Sequence, residues 1–144
     1  MSEADFLILR KVPLFAGLDS GQIDALASMA RVSLYPQDAA IIEEGEEGEG
    51  LFVILSGRVK VVKGLAGGGE RVLATLGSTE FFGEMALLDG YPRSASVIAL
   101  EDTRCLILSR WDLFILLRRD PEIAIHMLGI LSQRLRNVQA MISE

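Results

Sequence analysis

Cysteine and histidine each occur once in the 144-residue chain, as Cys105 and His126. One thiol cannot close an internal disulfide or supply a multi-thiolate iron–sulfur site, and one imidazole cannot build a paired-histidine metal centre. No metal cluster and no nucleophile–base pair can be assembled from these residues, so the chain reads as non-enzymatic. Cys105 lies among apolar neighbours in Arg104-Cys105-Leu106-Ile107-Leu108 and reads as buried strand packing, whereas His126 reads as a helix surface residue. Long apolar runs are missing too. Half the residues are hydrophobic and mean hydropathy is +0.35, yet no stretch approaches the roughly 18 apolar residues of a bilayer span. The opening Met1-Ser2-Glu3-Ala4-Asp5 is acidic and lacks a charged-then-apolar leader. The expectation is a cytoplasmic protein with no membrane partner.

Positive charge is scarce: 14 Lys and Arg face 20 Asp and Glu, for a net charge of −6. A basic face for nucleic acid is not available on this balance. The basic clusters, Arg118-Arg119 and Arg134 with Arg136, read as solvated helix faces, with a lid over a bound ligand the alternative for Arg134 or Arg136. Such a chain holds an anion only by concentrating positive potential locally.

What is present falls into three stretches. Residues 1–31 read as helical, with a short helix from Ser2 to Lys11 stopped by Pro13, and a second from about Gly21 to Arg31. Asp19 and Gln22 have the spacing of a capping box for the latter. Residues 32–109 turn to short apolar runs between turn residues, with strands expected at Ala39–Glu43, Leu51–Ser56, Arg58–Lys63, Glu70–Leu76, Ser94–Ala99 and Thr103–Ser109. Gly57 turns the chain between two of them, and residues 64–69 form a hairpin loop. This spacing of short strands indicates a sandwich or a barrel-like roll. Residues 110–144 are helical again: Ser109 and Asp112 resemble a cap, and Asp120-Pro121 opens a long last helix. In it Ala124, Leu128, Leu131, Leu135, Val138 and Ile142 recur at fours and threes, a seam of under three heptads. The seam has two explanations, packing on the chain's own roll or pairing with a second copy. No repeat, linker or second domain is evident, so 1–144 reads as one domain.

The stretch 82–95, FGEMALLDGYPRSA, carries the chemistry. Gly83 lets a ligand approach the backbone, and the amides of the turn beginning at Glu84 can receive an anion. Arg93 supplies a rigid fork of donors suited to phosphate, whereas Glu84 only accepts and so suits a hydroxyl. A ligand with one phosphate and one nearby hydroxyl matches; a ribose closed into a 3′,5′-cyclic phosphate has that shape. The alternative is a surface ion pair between Glu84 and Arg93. The candidate ligand-binding set is Gly83, Glu84, Met85, Ala86, Arg93, Ser94 and Ala95. Gly83 and Ala95 would give backbone amides and Ser94 a hydroxyl and an amide, while the side chains of Met85, Leu87 and Leu88 read as core anchors of the short helix.

This stretch resembles the phosphate-binding cassette of the cyclic-nucleotide-binding domain family, the sensory domain of catabolite activator-like regulators and of cyclic-nucleotide-regulated kinases and channels. Ile42 to Val61, with Gly45, Gly48, Gly50 and Gly57, resembles the family's glycine-punctuated early strands, and Val12 to Leu18 its leading segment. The resemblance implies a mainly β, eight-stranded jelly roll with N-terminal helices and a long C-terminal helix. It also implies a cyclic-nucleotide receptor relaying binding to that helix. Ser94, a small residue after the arginine, goes with cAMP, though cGMP stays open. Asp38 and Thr79 stand where the family commonly has glycine. The resemblance also sets a helix-turn-helix after the long helix in transcription factors of this family, and this sequence carries none, so the chain itself is not expected to bind DNA. A homodimer through the last helix and an unidentified effector are the partners expected. A ligand-independent interaction module of the same fold, or the sensory fragment of a transcription regulator, are the alternative readings.

Overall fold

Ser2 opens the first helix by a reciprocal capping box with Asp5, which satisfies two of the helix's otherwise orphaned amides. That helix, α1 (Glu3–Lys11), leads through a 3₁₀ turn at Pro13–Phe15 to α2 (Ser20–Met29). The expected box at Asp19 is formed: Gln22 N donates to Asp19 Oδ1 at 2.8 Å, and Asp19 N to Gln22 Oε1 at 2.8 Å. The computed structural model describes residues 1–48, 50–64, 69–90 and 92–143, apart from the side chains of Leu87 and Ser143.

The eight strands among these residues are β1 (Arg31–Tyr35), β2 (Ala40–Ile42), β3 (Gly50–Ser56), β4 (Arg58–Lys63), β5 (Arg71–Gly77), β6 (Phe81–Phe82), β7 (Ser96–Ala99) and β8 (Thr103–Ser109). They form two antiparallel four-stranded sheets, ordered β1-β8-β3-β6 and β2-β7-β4-β5. The expected jelly roll with flanking helices is therefore present. The β3 run Leu51-Phe52-Val53-Ile54-Leu55 is continuously apolar because its strand is buried on both faces. Leu51, Val53 and Leu55 meet the helices together with Leu106 and Leu108 of β8, whereas Phe52, Ile54, Cys105 and Ile107 fill the space between the sheets. Phe81 and Phe82 of β6 split the same way, and Phe82 stacks on its register partner Phe52 with ring centroids 5.0 Å apart. Cys105 is buried as expected, and its surroundings push the thiol up to about 12.

Several expectations need correction. The second helix stops at Met29, and Arg31, expected in the helix, begins β1. Neither β1 nor the two-residue β6 was among the strands expected. Strand β7 starts at Ser96, because Ser94 and Ala95 remain in the preceding bend. Asp38 and Thr79 take positive φ, 71° and 76°, so they adopt the left-handed conformation that glycine would. Gly57 turns the chain between β3 and β4 as expected, at φ 102°. Most of the loop expected at 64–69 lies outside the described residues.

After β8 come α4 (Arg110–Arg119), capped by Ser109, and α5 (Pro121–Ser143). The Asp120 carboxylate between them accepts from Gln22 Nε2 at 2.8 Å and Arg119 Nε at 3.1 Å, tying this corner to α2. Helix α5 packs inward through Ile123 and Met127, with Ile130 and Leu131 partly buried beside them. Leu128, Leu135, Val138 and Ile142 of the sequence seam are exposed, so a neighbouring stripe does the intramolecular packing. His126 is not a plain surface residue: its Nδ1 lies 3.4 Å from Leu14 O and its side chain is half-buried.

Between β6 and β7 runs α3 (Glu84–Asp89), started by Gly83 and ended by Gly90, both left-handed.

Candidate functional site

Strand β6 delivers Gly83 to the mouth of the roll, where φ 89° turns the chain into α3. A side chain there would be strained by that φ and crowded as well: an added Cβ would lie 2.9 Å from Arg93 Nη1 and 3.1 Å from Gly50 O. Arg93 enters from the far end of the same stretch. Its Nη1 donates to Gly83 O, and its Nη2 to Gly50 O at 3.0 Å. The Arg93 backbone is pinned to the β2–β3 connection, with Arg93 N donating to Glu46 O at 2.7 Å and Gly45 N to Arg93 O at 2.8 Å. Gly48 belongs to this contact too, since a Cβ on it would sit 2.8 Å from Ala86 Cβ and 3.4 Å from Arg93 Cζ. The glycines before β3 are thus the bed on which the α3 stretch rests.

Glu84, the first residue of α3, is 5% exposed, and Arg93 is 7% exposed. The surface ion pair considered from the sequence is not what forms. Glu84 Oε1 accepts from Arg134 Nη1 at 3.2 Å, across from α5. Arg134 also donates from Nη2 to Phe81 O at 2.6 Å, and its guanidinium carbon sits 4.4 Å above the Phe81 ring. Arg134, expected on a solvated face, is therefore a half-buried bolt between α5 and the β6–α3 turn. Its position continues the inward stripe Ile123, Met127, Ile130, Arg134, a spacing of four, three and four that was readable in the sequence. Burial pushes the Glu84 carboxyl above its ordinary range, against the opposing effects of its own backbone N–H, Arg134 and Arg93.

Over these groups lies a cavity of about 910 Å³, within the size range of small-molecule sites. All seven sequence-derived candidates, Gly83, Glu84, Met85, Ala86, Arg93, Ser94 and Ala95, line it. Its other walls come from Val61 and residues 73–76 of the β4–β5 hairpin and from α5. Two side chains expected in the core point elsewhere: Met85 is 59% and Leu88 44% exposed, with Met85 at the cavity wall. On this six-residue helix the buried side chains described are those of Glu84 and Ala86. The Leu87 side chain lies outside the described residues. From α5 the cavity also gains Gln133 and Asn137, which the sequence did not single out, and Arg134, whose alternative reading as a lid places it on this side. The buried Glu84 carboxylate, the buried Arg93 guanidinium and a mostly apolar enclosure equip the cavity for an organic anion carrying a hydroxyl.

Residues 32–120 match the family model described as the cyclic nucleotide-binding domain. The chain belongs to that family. It is 44% identical over 124 residues to the cyclic AMP receptor protein of Thermus thermophilus, a match covering 86% of this chain and 57% of that protein. The crystal structure of Thermus thermophilus catabolite activator protein superposes with a TM-score of 0.83 at 42% identity, covering 91% of this chain and 62% of that one. A cyclic nucleotide-binding domain from Methylobacillus flagellatus gives 0.82 at 33% identity, covering 97% and 81%. The chain spans a little under three-fifths of the length of the first curated relatives it matches. No helix among the described residues is long and apolar enough to cross a membrane.

Proposed function

We propose that this chain is a non-enzymatic, cytoplasmic receptor domain for cAMP, folded as one unit over residues 1–144. The observation that carries the reading is the convergence of buried Glu84 and buried Arg93 on one 910 Å³ cavity in a chain of net charge −6. The cyclic phosphate docks on Arg93 with the amides of Gly83, Ser94 and Ala95, and the ribose 2′-hydroxyl donates to Glu84. The choice of cAMP over cGMP draws support from the name of the Thermus relative and from the small Ser94.

The same geometry suggests a relay. In this structure Arg134 engages Glu84, and Arg93 engages the carbonyls of Gly83 and Gly50. A nucleotide competing for both groups shifts α3 and loosens or redirects α5, provided it binds one arrangement better than the other. The exposed seam of Leu128, Leu135, Val138 and Ile142 then serves as a homodimer face or meets an effector whose identity is open.

Isothermal titration with cAMP and cGMP tests the reading. Wild-type protein should bind cAMP, and Arg93→Ala should weaken binding by about tenfold or more. Equal affinity in the two proteins would move the phosphate elsewhere. A ligand-independent interaction module has one observation in its favour, that Glu84 and Arg93 already have protein partners; absence of heat with either nucleotide would select it.

A further inference from the structure

Sulfur is sparse in this chain, and its positions are chemically unequal. Of the five methionines, Met127 is packed in the core with Ile123 and is 3% exposed, and Met29 is partly buried against the same cluster. Among the described residues, Met85 of α3 and Met141 of α5 are the methionines that line the cavity, and both are open to solvent, Met141 to 68%. Met1 is exposed but stands outside the cavity wall. Cys105 is sealed between the sheets, and its thiol, pushed up to about 12, supplies no thiolate near neutral pH. A mild oxidant therefore meets thioethers first, and two of them belong to the cavity.

Their placement follows from the wall itself. Met85 is the residue after Glu84 in α3. Met141 lies seven residues beyond Arg134 on α5, two helical turns and about 10.5 Å of rise, and so returns to the cavity side. A thioether is a soft apolar group, whereas its sulfoxide carries a strongly polar, acceptor-only oxygen. The wall already includes the carboxyls of Glu80, Glu84 and Asp89. Further acceptor oxygens give an anionic ligand no donor, and a ligand covering them buries polar atoms without partners.

We infer that Met85 and Met141 form a paired oxidation site through which a peroxide lowers the affinity of the cavity for its ligand; this rests on the receptor reading above. The sulfur lone pair attacks one oxygen of hydrogen peroxide, and the O–O bond breaks as the S–O bond forms. The departing hydroxide takes the proton from the new S–OH group and leaves as water. Each thioether is oxidised by two electrons to a sulfoxide, and the peroxide is reduced by the same two. Reductases specific for methionine sulfoxide reverse the step, so the site is switchable in both directions.

The protein is treated with dilute hydrogen peroxide, its methionines are followed by peptide mass spectrometry, and cAMP is titrated into treated and untreated samples. Sulfoxide should form at Met85 and Met141 well before Met127, and saturating cAMP should slow it at those two positions but not at Met1. Treated protein should bind cAMP about tenfold more weakly, a loss of about 1.4 kcal/mol, and methionine sulfoxide reductases should restore the untreated value. The double variant Met85→Leu, Met141→Leu, checked for folding by circular dichroism, should keep its own untreated affinity through the same treatment. Oxidation of both positions with unchanged affinity, or a loss that persists in the double variant, overturns the inference while the receptor reading stands. Untreated protein that binds no cyclic nucleotide overturns both.

Discussion

Arg134 and Glu84, fifty residues apart in sequence, form an ion pair of 3.2 Å that joins the last helix to the first turn of α3. Arg134 makes this contact while donating to Phe81 O and stacking over the Phe81 ring. Three interactions thus fasten the distal half of α5, whose other side chains past Leu131 are mainly exposed. Helix α5 is held at its near end by apolar packing, and Arg134 adds a polar anchor further along.

Arg134→Ala should therefore loosen α5 without unfolding the roll. Losing a charge-assisted hydrogen bond and a cation–π contact costs about 2 kcal/mol locally. Amide hydrogen exchange across residues 130–141 should accelerate in the ligand-free variant, while β3 and β8 keep their protection. On the relay proposed above, cAMP would then produce little further change in α5. Unaltered exchange in the variant would show that some other contact anchors the helix.

The Glu84 carboxyl gives a pH signature with a definite sign. Burial raises its pKa above 4.5 in the folded chain, so between 4.5 and the raised value the native state binds more protons than the unfolded one. Its contribution to stability is most favourable below 4.5 and declines as pH rises through the folded value. The melting-temperature difference, wild type minus Glu84→Gln, should accordingly increase on acidification from pH 7 to pH 5. A constant difference would mean that Arg134 and Arg93 fully offset the burial.

Much of this was legible in the sequence, and the misses share a cause. Strands β4 and β8 are readable to the residue, since turn residues bound their apolar runs on both sides. Strand β6 is not, because two residues carry no periodicity; its pairing with β3, Phe82 against Phe52 and Phe81 against Val53, defines it. Glu84 and Arg93 stand out as charges flanking a glycine-bounded apolar turn, a pattern that needs no tertiary information. Their partners do need it. Arg134 looks like a surface charge unless its place in the Ile123, Met127, Ile130 stripe is weighed above its polarity. Met85 and Leu88 look like core for the opposite reason, yet on a short helix at a cavity mouth both are exposed.

A second acid-sensitive contact lies far from the cavity. Arg104 of β8 grips Asp5 of α1 with two hydrogen bonds of 2.8 Å. That contact, outweighing the cost of burial, lowers the Asp5 carboxyl from 3.8 to about 2. For a lowered carboxyl the stability is present above the unfolded value and is lost as pH falls from about 3.8 towards 2. The shift corresponds to about 2 kcal/mol, so Asp5→Asn should be less stable by roughly that amount at pH 7, with the gap closing in acid. Urea unfolding of both proteins at pH 7 and pH 3 measures it. A gap that persists undiminished at the lower pH would assign the loss to packing and not to charge.

Gly48 tests whether the bed beneath α3 matters to the ligand site. Its added Cβ would come 2.8 Å from Ala86 Cβ and 3.4 Å from the Arg93 guanidinium carbon. The first contact is closer than real Cβ atoms approach, and Ala86 has no flexible end to swing aside, so either α3 or the connecting loop must move. Gly48 carries no positive φ among those of this backbone, so Gly48→Ala imposes the steric push without conformational strain. Displacement of α3 moves the Glu84 carboxylate relative to the Arg93 fork, which remains tied to Gly50 O. Overpacking of this kind costs about 1–3 kcal/mol, and cAMP affinity should fall several-fold even though the substituted residue contributes no ligand atom. Retained affinity alongside lowered stability would mean that the loop yields and α3 keeps its place, making these glycines a requirement of folding alone.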